Sequence, residues 1–417
     1  MNKKVLGNRS LLTIGFSESV SNIGNWITMM AVFTMVVFQG DGSVVQSSGI
    51  FLAGLVPTLF ASPLAGWLLD RYDRKWLMVG SELASGLITT GLIFTQRLEL
   101  VYAVLALQAV SISLMTPARQ AVIPDIVSHE DLTSANALLQ QLAGIIKIAA
   151  PILAGMILAV MNPHSAIILD VVSFAISAFI LSRLPSLPPH REEEQPLRSS
   201  TNDAPPLKTS LSSVILHNAF LRLLFASTFL AIFIFIGFDI LSPLYTRDVL
   251  SAGQEFFGTM IGLVGFGTVG ATLMLMLRKG NGDPWRDAIS GLLMLSIIPI
   301  TLALGTGIQD AQLRRLLIMA GCLVGGFGNG MLNVQIITLI QILTPAHLLG
   351  RLGGVFQSTA VAGQLAGLLV TPLLVPAVFN YRNYFMVSAL AVVLVVIFTI
   401  ITLGISRRTQ ASQAAAG

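Results

Sequence analysis

The sequence predicts an all-α membrane protein, and three observations carry that prediction. Of the 417 residues, 54% are hydrophobic and 11% are charged, and the mean hydropathy is +0.80. Twelve apolar runs are each long enough to cross a bilayer as a helix, and the longest polar interval, residues 184–212, divides them six and six. Soluble proteins carry about 25% charged residues. This chain cannot cover a water-facing surface, so lipid is its expected solvent.

The individual spans follow from the need for about 20 largely apolar residues per transmembrane helix. Runs of this kind occupy residues 11–38, 47–69, 76–95, 99–121, 133–160, 164–183, 218–244, 256–277, 288–307, 312–340, 353–376 and 383–405. They predict a six-helix bundle over 1–183, a linker over 184–212, a second six-helix bundle over 213–406 and a tail over 407–417. The linker is expected because its Pro-rich and Ser-rich polar composition cannot bury enough apolar area to fold alone.

The basic residues are distributed unequally between the two sides of the predicted membrane domain. An even number of spans puts both termini and the linker on one side, where 18 of the 24 Lys and Arg residues fall, Arg119 among them, against five on the other. This bias predicts cytoplasmic termini in a bacterial inner membrane. The basic N-terminus resembles a signal peptide, but the first apolar run carries Glu18 and has no small-residue cleavage site, so we expect it to be retained.

Composition also argues against other classes of protein. The formal charge of +4 arises from short basic clusters rather than a continuous stripe, so nucleic acid is not an expected partner. The single cysteine, Cys322, cannot form a disulfide framework, and the five histidines show no metal-ligand spacing. We therefore expect no cofactor, no metal and no enzymatic activity, and a monomer embedded in the lipid bilayer.

Charge is concentrated in the segment GWLLDRYDRK, residues 66–75, between the second and third spans. A topological anchor would explain its bases but not the spacing of its glycine and aspartate. Gly66 permits close approach of a neighbouring helix, and Asp70 is placed to face the positive N-terminal end of another helix. The bases can pair with acids or lipid phosphates.

The segment resembles the loop 2–3 signature of the major facilitator superfamily, G-x-L-a-D-R-x-G-R-K, with Asp73 in place of the second glycine. The segments SNIGNW (21–26), TPARQAVIPDIV (116–127), LTSANAL (132–138) and TPAHLLGRLGG (344–354) resemble the siderophore and macrolide exporter group. The resemblance implies two pseudo-symmetric six-helix bundles. The two halves also contain similar short segments at equivalent places. GLVP (54–57) is similar to GLVG (262–265), and QAVIP (120–124) is similar to QILTP (341–345).

The family also implies a role for the loop aspartate. It would latch the cytoplasmic gate by contacting the start of the eleventh helix, which opens at Gly353 in this chain. Asp125, at the end of the fourth span, is a candidate partner for Arg71 or Arg74. The predicted gating residues are Gly66, Asp70, Arg71, Arg74, Lys75, Asp125, Arg351 and Gly353.

Charged groups inside the spans invite functional hypotheses because each costs at least about 2.5–3.5 kcal/mol at the bilayer centre. Glu18, Asn22 and Asn25 share one helix face and are expected to line a central cavity, although helix–helix hydrogen bonding would explain the asparagines equally well. Asp170 and Asp239 each lie about 9 Å from the outer helix end, where water could reach them. Glu18, Asp239 and Asp170 are the predicted proton-coupling residues, with a packing role as the alternative for Asp170.

Lys147 lies near the middle of the fifth span in GIIKIAAPILAG (144–155), which partly resembles the family's antiporter motif. A buried lysine needs an acidic or carbonyl partner, an aqueous cavity or a depressed pKa. Glu18 is one candidate partner, since the family fold places the first and fifth helices beside the cavity. The predicted substrate-binding residues are Glu18, Asn22, Asn25, Lys147, Asn333 and Gln357.

Together these features predict a secondary active transporter that exports small amphipathic molecules, such as a drug, a macrolide or a siderophore-like compound. Alternating access with proton antiport is the expected mechanism, and ATP driving is not expected because the chain has no G-x-x-x-x-G-K-[ST] loop. Two alternatives keep the same fold: an uptake transporter and a lipid or lysolipid flippase. A sensor or scaffold also remains open, but it would have little use for the gate signature.

Overall fold

A computed structural model describes residues 7–69, 71–128, 131–188, 218–278, 282–343 and 349–416, and these residues contain helices and no strands. The predicted all-helical fold is confirmed. Asp70 and most of the predicted linker lie outside the described residues. For Lys147, Arg351 and Gly353, the structure describes the helical backbone but not the side-chain surroundings.

The helices agree closely with the predicted spans. In the first half of the chain they are α1 Arg9–Phe33, α2 Val44–Leu69, α3 Arg74–Thr89, α4 Leu98–Ile112, α5 Met115–Ile126, α6 Leu132–Val160 and α7 Pro163–Leu181. In the second half they are α8 Ala219–Asp248, α9 Gln254–Leu277, α10 Pro284–Leu295, α11 Ile297–Gly305, α12 Ala311–Leu343, α13 Leu349–Leu374 and α14 Tyr381–Ala416. A π-helical turn, Thr34–Gln39, extends α1, and a 3-10 turn, Thr90–Ile93, extends α3.

Eleven helical stretches in the described ranges are long and apolar enough to cross a membrane. The remaining predicted span, 133–160, corresponds to α6, whose apolar stretch is Ala149–Leu158. Large apolar side chains also face outward, including Phe60, Leu87 and Phe94, which are 80%, 75% and 86% exposed. Exposed apolar surface of this kind suits contact with lipid.

Two predicted spans are interrupted rather than continuous. The fourth span breaks between α4 and α5, and the ninth breaks between α10 and α11. Each break lies three or four residues before a proline, Pro117 or Pro299. A proline ring lacks the N–H that would bond the carbonyl four residues earlier and collides with that carbonyl, so the helix must change geometry there.

The chain divides into two compact units, Met1–Arg198 with Ser251–Gly262, and Ser199–Leu250 with Leu263–Gly417. In the first unit, α1 packs against α6 and α7, α3 packs against α7, and α2 packs against α4. In the second unit, α10 packs against α12, α8 against α13, and α11 against α12 and α14. The short segment 251–262, which begins α9, therefore belongs with the N-terminal helices rather than with the rest of α9.

Candidate functional site

The loop before α3 is organised by Asp73, which the sequence singled out only as a departure from the family signature. Its carboxylate caps α3 by accepting a hydrogen bond from the N–H of Lys75 at 2.9 Å. It also accepts from the Ser186 hydroxyl at 2.5 Å and the Leu187 N–H at 3.2 Å. The Arg74 N–H returns a bond to the Leu187 carbonyl at 3.0 Å. A glycine could not supply this cap, so the substitution fastens the start of α3 to the segment after α7.

The protonation state of Asp73 controls this connection. Burial by itself would raise its pKa, but hydrogen bonds from the Ser186 hydroxyl and from the N–H groups of Leu187, Lys75 and Trp76 lower the pKa below its usual value. All of these bonds need an acceptor, which the ionised carboxylate provides. The connection is therefore strongest when Asp73 is charged.

The bases of the loop have different partners. Arg74 pairs with Asp125, with 2.5 Å between Nη1 and Oδ2, and it also donates to the Ala121 carbonyl at 3.0 Å. Of the two arginines that the sequence placed near Asp125, Arg74 makes this contact. Arg71 instead stacks on Trp67, with its guanidinium carbon 4.4 Å from the ring centre. The loop is thus joined to α5 through Arg74 and to α7 through Asp73.

The gating roles of all eight predicted residues stay predictions. Asp70 lies outside the described residues, so its expected contact with the start of the eleventh predicted span is not described. Gly66 lies near the end of α2, and Arg351 and Gly353 lie in the first turns of α13. Lys75 lies on the first turn of α3 with its ammonium 5.0 Å from the centre of the Trp76 ring.

Glu18 pairs with Arg119, a partner that the sequence did not predict. The Arg119 Nη1 lies 2.8 Å from Glu18 Oε2, and the two side chains are 19% and 16% exposed. Arg119 lies near the end of the predicted fourth span, 99–121, and α5 continues about two turns beyond it to Ile126. The TPARQ segment therefore lies at the start of α5, which packs against α1. The contact expected between Glu18 and Lys147 stays a prediction, because the Lys147 side chain lies outside the described residues.

The asparagines of α1 bond to helix groups. Asn22 is exposed and donates to the Glu18 carbonyl of its own helix at 2.7 Å. Asn25 accepts from Gln108 on α4, with 3.3 Å between Oδ1 and Nε2. For Asn25 this geometry favours the helix–helix alternative, whereas exposed Asn22 keeps a free face for a ligand.

A buried polar strip joins α1, α3 and α7. We define this polar seam as Ser17, Ser21, Thr28, Glu82, Asp170, Ser173 and Ser177. The hydroxyls of Ser17 and Ser177 lie 2.6 Å apart. Asp170 accepts from Thr28 at 2.5 Å and from Ser173 at 3.1 Å. Because Asp170 is 0% exposed, the expectation that water reaches it from outside is wrong, and its two bonds support the packing alternative.

The seam contains an acidic residue that sequence reasoning missed. Glu82 on α3 is 5% exposed, and the Ser21 and Ser177 hydroxyls face its carboxyl group. One carboxylate oxygen, Oε2, is buried without a hydrogen-bond partner among the described residues. The signal was present in the sequence, because Glu82 is an acid in the middle of the predicted span 76–95.

The helix contact at the seam is unusually close. A Cβ atom at Gly24 would collide with the Asp170 Oδ1 and Ser173 Oγ atoms. Gly24 is the glycine of the SNIGNW segment, and its lack of a side chain lets α1 approach α7 closely enough for Thr28 to reach Asp170. The glycine of this segment therefore serves the packing around a buried acid.

The predicted polar residues of the second unit do not form one described cluster. Asp239 is half-buried on α8. Asn333 is exposed on α12 and donates to the carbonyl and side-chain oxygens of Asn329 at 2.8 and 2.9 Å. Gln357 is exposed on α13.

A second acid that sequence reasoning missed is Asp287 on α10, which is 9% exposed. Its carboxylate accepts from Arg278 at 3.1 Å and from Gln335 at 3.1 Å. This acid is therefore compensated by a cation and an amide, unlike Glu82.

The sequence profile of the Major Facilitator Superfamily matches residues 14–362. The chain belongs to this superfamily. It is 24% identical over 388 residues to the uncharacterized MFS-type transporter YfiS of Bacillus subtilis, covering 86% of this chain and 85% of that protein. Macrolide efflux protein A of Streptococcus pyogenes is 28% identical over 57% of this chain and 58% of its own length. The staphyloferrin A transporter of Staphylococcus aureus is 26% identical over 61% of this chain and 63% of its own length.

Solved structures show the same fold. The nucleoside transporter NupG superposes with a TM-score of 0.71 at 11% sequence identity, covering 94% of this chain and 99% of its own. The protein is thus a multi-pass membrane transporter of the major facilitator superfamily and not an enzyme.

Proposed function

We propose that this transporter exports small amphipathic molecules, of the drug, macrolide or siderophore-like kind, by proton antiport. Its relatives include proteins named for macrolide efflux and for staphyloferrin A transport, which supports small organic substrates. The observation that carries the coupling proposal is the Glu18–Arg119 pair, a carboxylate held within a spanning helix by one neighbouring guanidinium. Intramembrane acids of this kind are typical of proton pathways.

The pair offers a simple coupling step. While Glu18 is ionised, it holds Arg119 and the pair is electrically balanced. A proton that binds Glu18 neutralises the carboxylate and leaves the Arg119 charge uncompensated, so the arrangement of α1 and α5 loses stability. We propose that this change favours the alternative conformation, and that Asp239 takes part in the same coupling.

The remaining site residues complete the proposal. Exposed Asn22, Asn333 and Gln357 offer uncharged hydrogen-bonding groups to a substrate, with Glu18, Asn25 and Lys147 as further contributors. The gate is proposed to close through Asp70 and Gly353, supported by Gly66, Arg71, Lys75 and Arg351 and by the Arg74–Asp125 pair. The protein works as a monomer in a bacterial inner membrane, with both termini cytoplasmic.

The test uses purified protein in proteoliposomes with an imposed pH gradient and a macrolide or a lipophilic cation as the probe. Proton-driven accumulation of either probe is expected for the wild type, and Glu18→Gln should reduce it at least tenfold. Lipid movement at the same rate with and without the pH gradient would contradict the proposal and identify a flippase. Accumulation in the direction of uptake would contradict export.

The gating proposal has its own variant. Asp70→Asn should abolish probe transport while expression and thermal stability stay near those of the wild type. Asp41→Asn, which removes a carboxylate from the turn after α1, serves as the matched control and should transport normally. Unchanged transport by Asp70→Asn would remove Asp70 from the gate.

A further inference from the structure

Glu82 differs from Glu18 in having no cation beside it, and from Asp170 in having one oxygen without a hydrogen-bond partner among the described residues. Glu18 contacts Arg119, and Asp170 accepts two hydroxyl hydrogen bonds. The hydroxyls of Ser21 and Ser177 face Glu82, and its Oε2 atom is buried without a hydrogen-bond partner among the described residues. An ionised carboxylate left in that state would cost several kcal/mol, on the order of the desolvation penalty of a buried ion.

The charged neighbours of Glu82 do not supply a counterion. Of the helices packed against α3, α7 presents Asp170, which is also an acid, and α4 carries Glu99 at its exposed first turn. On α5, Arg119 is engaged by Glu18 and Asp125 by Arg74. The charges that act on Glu82 are those of the carboxylates of Asp170 and Glu18. Two carboxylates in one low-dielectric region oppose each other's ionisation.

A second observation lies along the same helix face. Ser85 and Thr89 follow Glu82 at positions i+3 and i+7, so the three side chains lie in a row on α3. Ser85 and Thr89 are 1% and 0% exposed, and their hydroxyl oxygens also have no hydrogen-bond partner among the described residues. Unsatisfied polar atoms are uncommon in protein interiors. Three such atoms, Glu82 Oε2 among them, therefore lie in a row on this face of α3.

We propose that Glu82 is a proton-binding site inside the N-terminal unit and that the Ser85–Thr89 row is its access path. When a proton binds, the carboxylate becomes a neutral acid whose O–H can donate to the hydroxyl of Ser21 or Ser177. The reaction is a simple protonation, in which one proton joins one carboxylate oxygen and no other bond changes. The row leads from Glu82 towards the end of α3 that the charge bias places outside.

A proton fits this site better than a metal ion. Among the described residues, no group of three or more His, Cys, Asp or Glu side chains could hold a metal. The groups facing Glu82 are serine hydroxyls, which are neutral and weak as metal ligands, whereas a proton needs only one oxygen and one acceptor. The inference deepens the proposed proton coupling and rests on it for its role in transport. The binding of the proton itself is independent of which substrate is carried.

The test is infrared difference spectroscopy of the full-length protein in lipid nanodiscs during a pH titration. The wild type should show the carbonyl band of a protonated carboxylic acid near neutral pH. Glu82→Gln should lose one carboxyl equivalent of that band, whereas the control Glu99→Gln should keep it. Glu82→Asp, which retains the acid, should keep the band at a shifted position and guards against a folding defect in the amide variant.

Several outcomes would overturn the inference. One is a wild-type spectrum that shows no carbonyl band of a protonated carboxylic acid near neutral pH. Another is a carbonyl band in folded Glu82→Gln that is as large as the band of the wild type. Calorimetric binding of Mn²⁺ to the wild type that disappears in Glu82→Gln would also overturn it, in favour of a cation site. Proton-driven probe transport without the band would defeat this inference alone. The band without any proton-driven transport would leave the site standing and defeat the proposed function.

Discussion

Glu82 in the N-terminal unit and Asp287 in the C-terminal unit are buried acids with opposite surroundings. In the N-terminal unit, Glu82 lies among serine hydroxyls, with one oxygen lacking a hydrogen-bond partner in the described part of the chain. In the C-terminal unit, Asp287 is held by Arg278 and Gln335. Removing a charge from a compensated site leaves a partner unbalanced, whereas an uncompensated acid gains stability when it is protonated. The surroundings of Glu82 therefore favour a change of charge, and those of Asp287 favour a constant one.

The loops before the two acids are nevertheless alike. Asp73 caps α3 through the Lys75 N–H at 2.9 Å, and Asp283 caps α10 through the Trp285 N–H at 2.9 Å. The helices that follow these caps pack differently. The helix α10 meets α12 through glycines, with Gly291 and Gly328 in backbone contact. The helix α3 meets α7 through the polar seam.

The largest effect is expected from Gly328→Leu, which tests whether the C-terminal unit depends on close backbone packing. A Cβ atom there would lie 2.6 Å from the Leu295 N–H nitrogen and against the Gly291 carbonyl oxygen. Neither backbone atom can move without separating α10 from α12. We expect a loss of more than about 3 kcal/mol in the free energy of unfolding, the upper end for overpacking. Thermal unfolding followed by size exclusion measures it.

The control for that prediction is Gly354→Leu on α13, where an added Cβ atom meets nothing within 4 Å. Its melting temperature should stay within a few degrees of the wild type. A similar loss in both variants would show that the membrane helices do not tolerate leucine in general.

The second largest effect is expected from Arg119→Gln, which leaves the Glu18 carboxylate without its guanidinium. Removal of one partner from a buried pair costs about 3–5 kcal/mol. Because these side chains are 16–19% exposed, we expect a smaller loss of roughly 2–3 kcal/mol in the free energy of unfolding. Thermal unfolding in detergent provides the measurement. The double variant Glu18→Gln with Arg119→Gln should recover part of the loss, and strict additivity of the two changes would contradict the pair.

A smaller effect is expected from Gly24→Ala, which probes the seam without replacing an acid. The new methyl group would collide with Asp170 and Ser173 and push α1 away from α7. Displacement of buried side chains by one methyl group costs about 1–3 kcal/mol. Differential scanning fluorimetry can compare it with Gly80→Ala, where the added atom meets nothing within 4 Å. Equal melting temperatures of the two variants would contradict the close contact.

The smallest effect is expected at Asp73, where the prediction concerns pH. The lowered pKa of the folded state means that its contribution to stability is present above the ordinary value of 3.8 and is lost as the pH falls through the folded pKa. The wild type should therefore lose stability on acidification more steeply than Asp73→Asn. The difference should be well under about 1 kcal/mol because the group is mostly solvated. Melting curves on either side of that pKa would show it, and parallel curves would contradict it.

Much of the fold could be predicted because lipid imposes simple rules on sequence. Apolar length placed the spans to within a few residues, since each helix must satisfy its own backbone in the hydrocarbon. The breaks before Pro117 and Pro299 were not predicted, although both prolines are visible in the sequence. Apolarity alone does not reveal a local change in helix geometry.

The candidate site was predicted less completely. Glu18 was recognised as an intramembrane acid, but Arg119, near the end of the predicted fourth span, was only counted among the bases of the cytoplasmic side. Glu82 was overlooked although it stands alone in an apolar span. The identity of a partner depends on which helix faces pack against each other, and no local sequence pattern determines that packing.

The sequence by itself determined that this protein resides in a membrane, how many spans to expect and where charge gathers between them. These properties follow from the free energy of transferring each segment from water to lipid, which depends only on the residues of that segment. Only the tertiary structure decided that Arg119 balances Glu18, that Asp73 joins α3 to the segment after α7, and that Glu82 lies without a counterion among the described residues. Those outcomes depend on the packing of distant helices, where the energy of a charge is set by its neighbours.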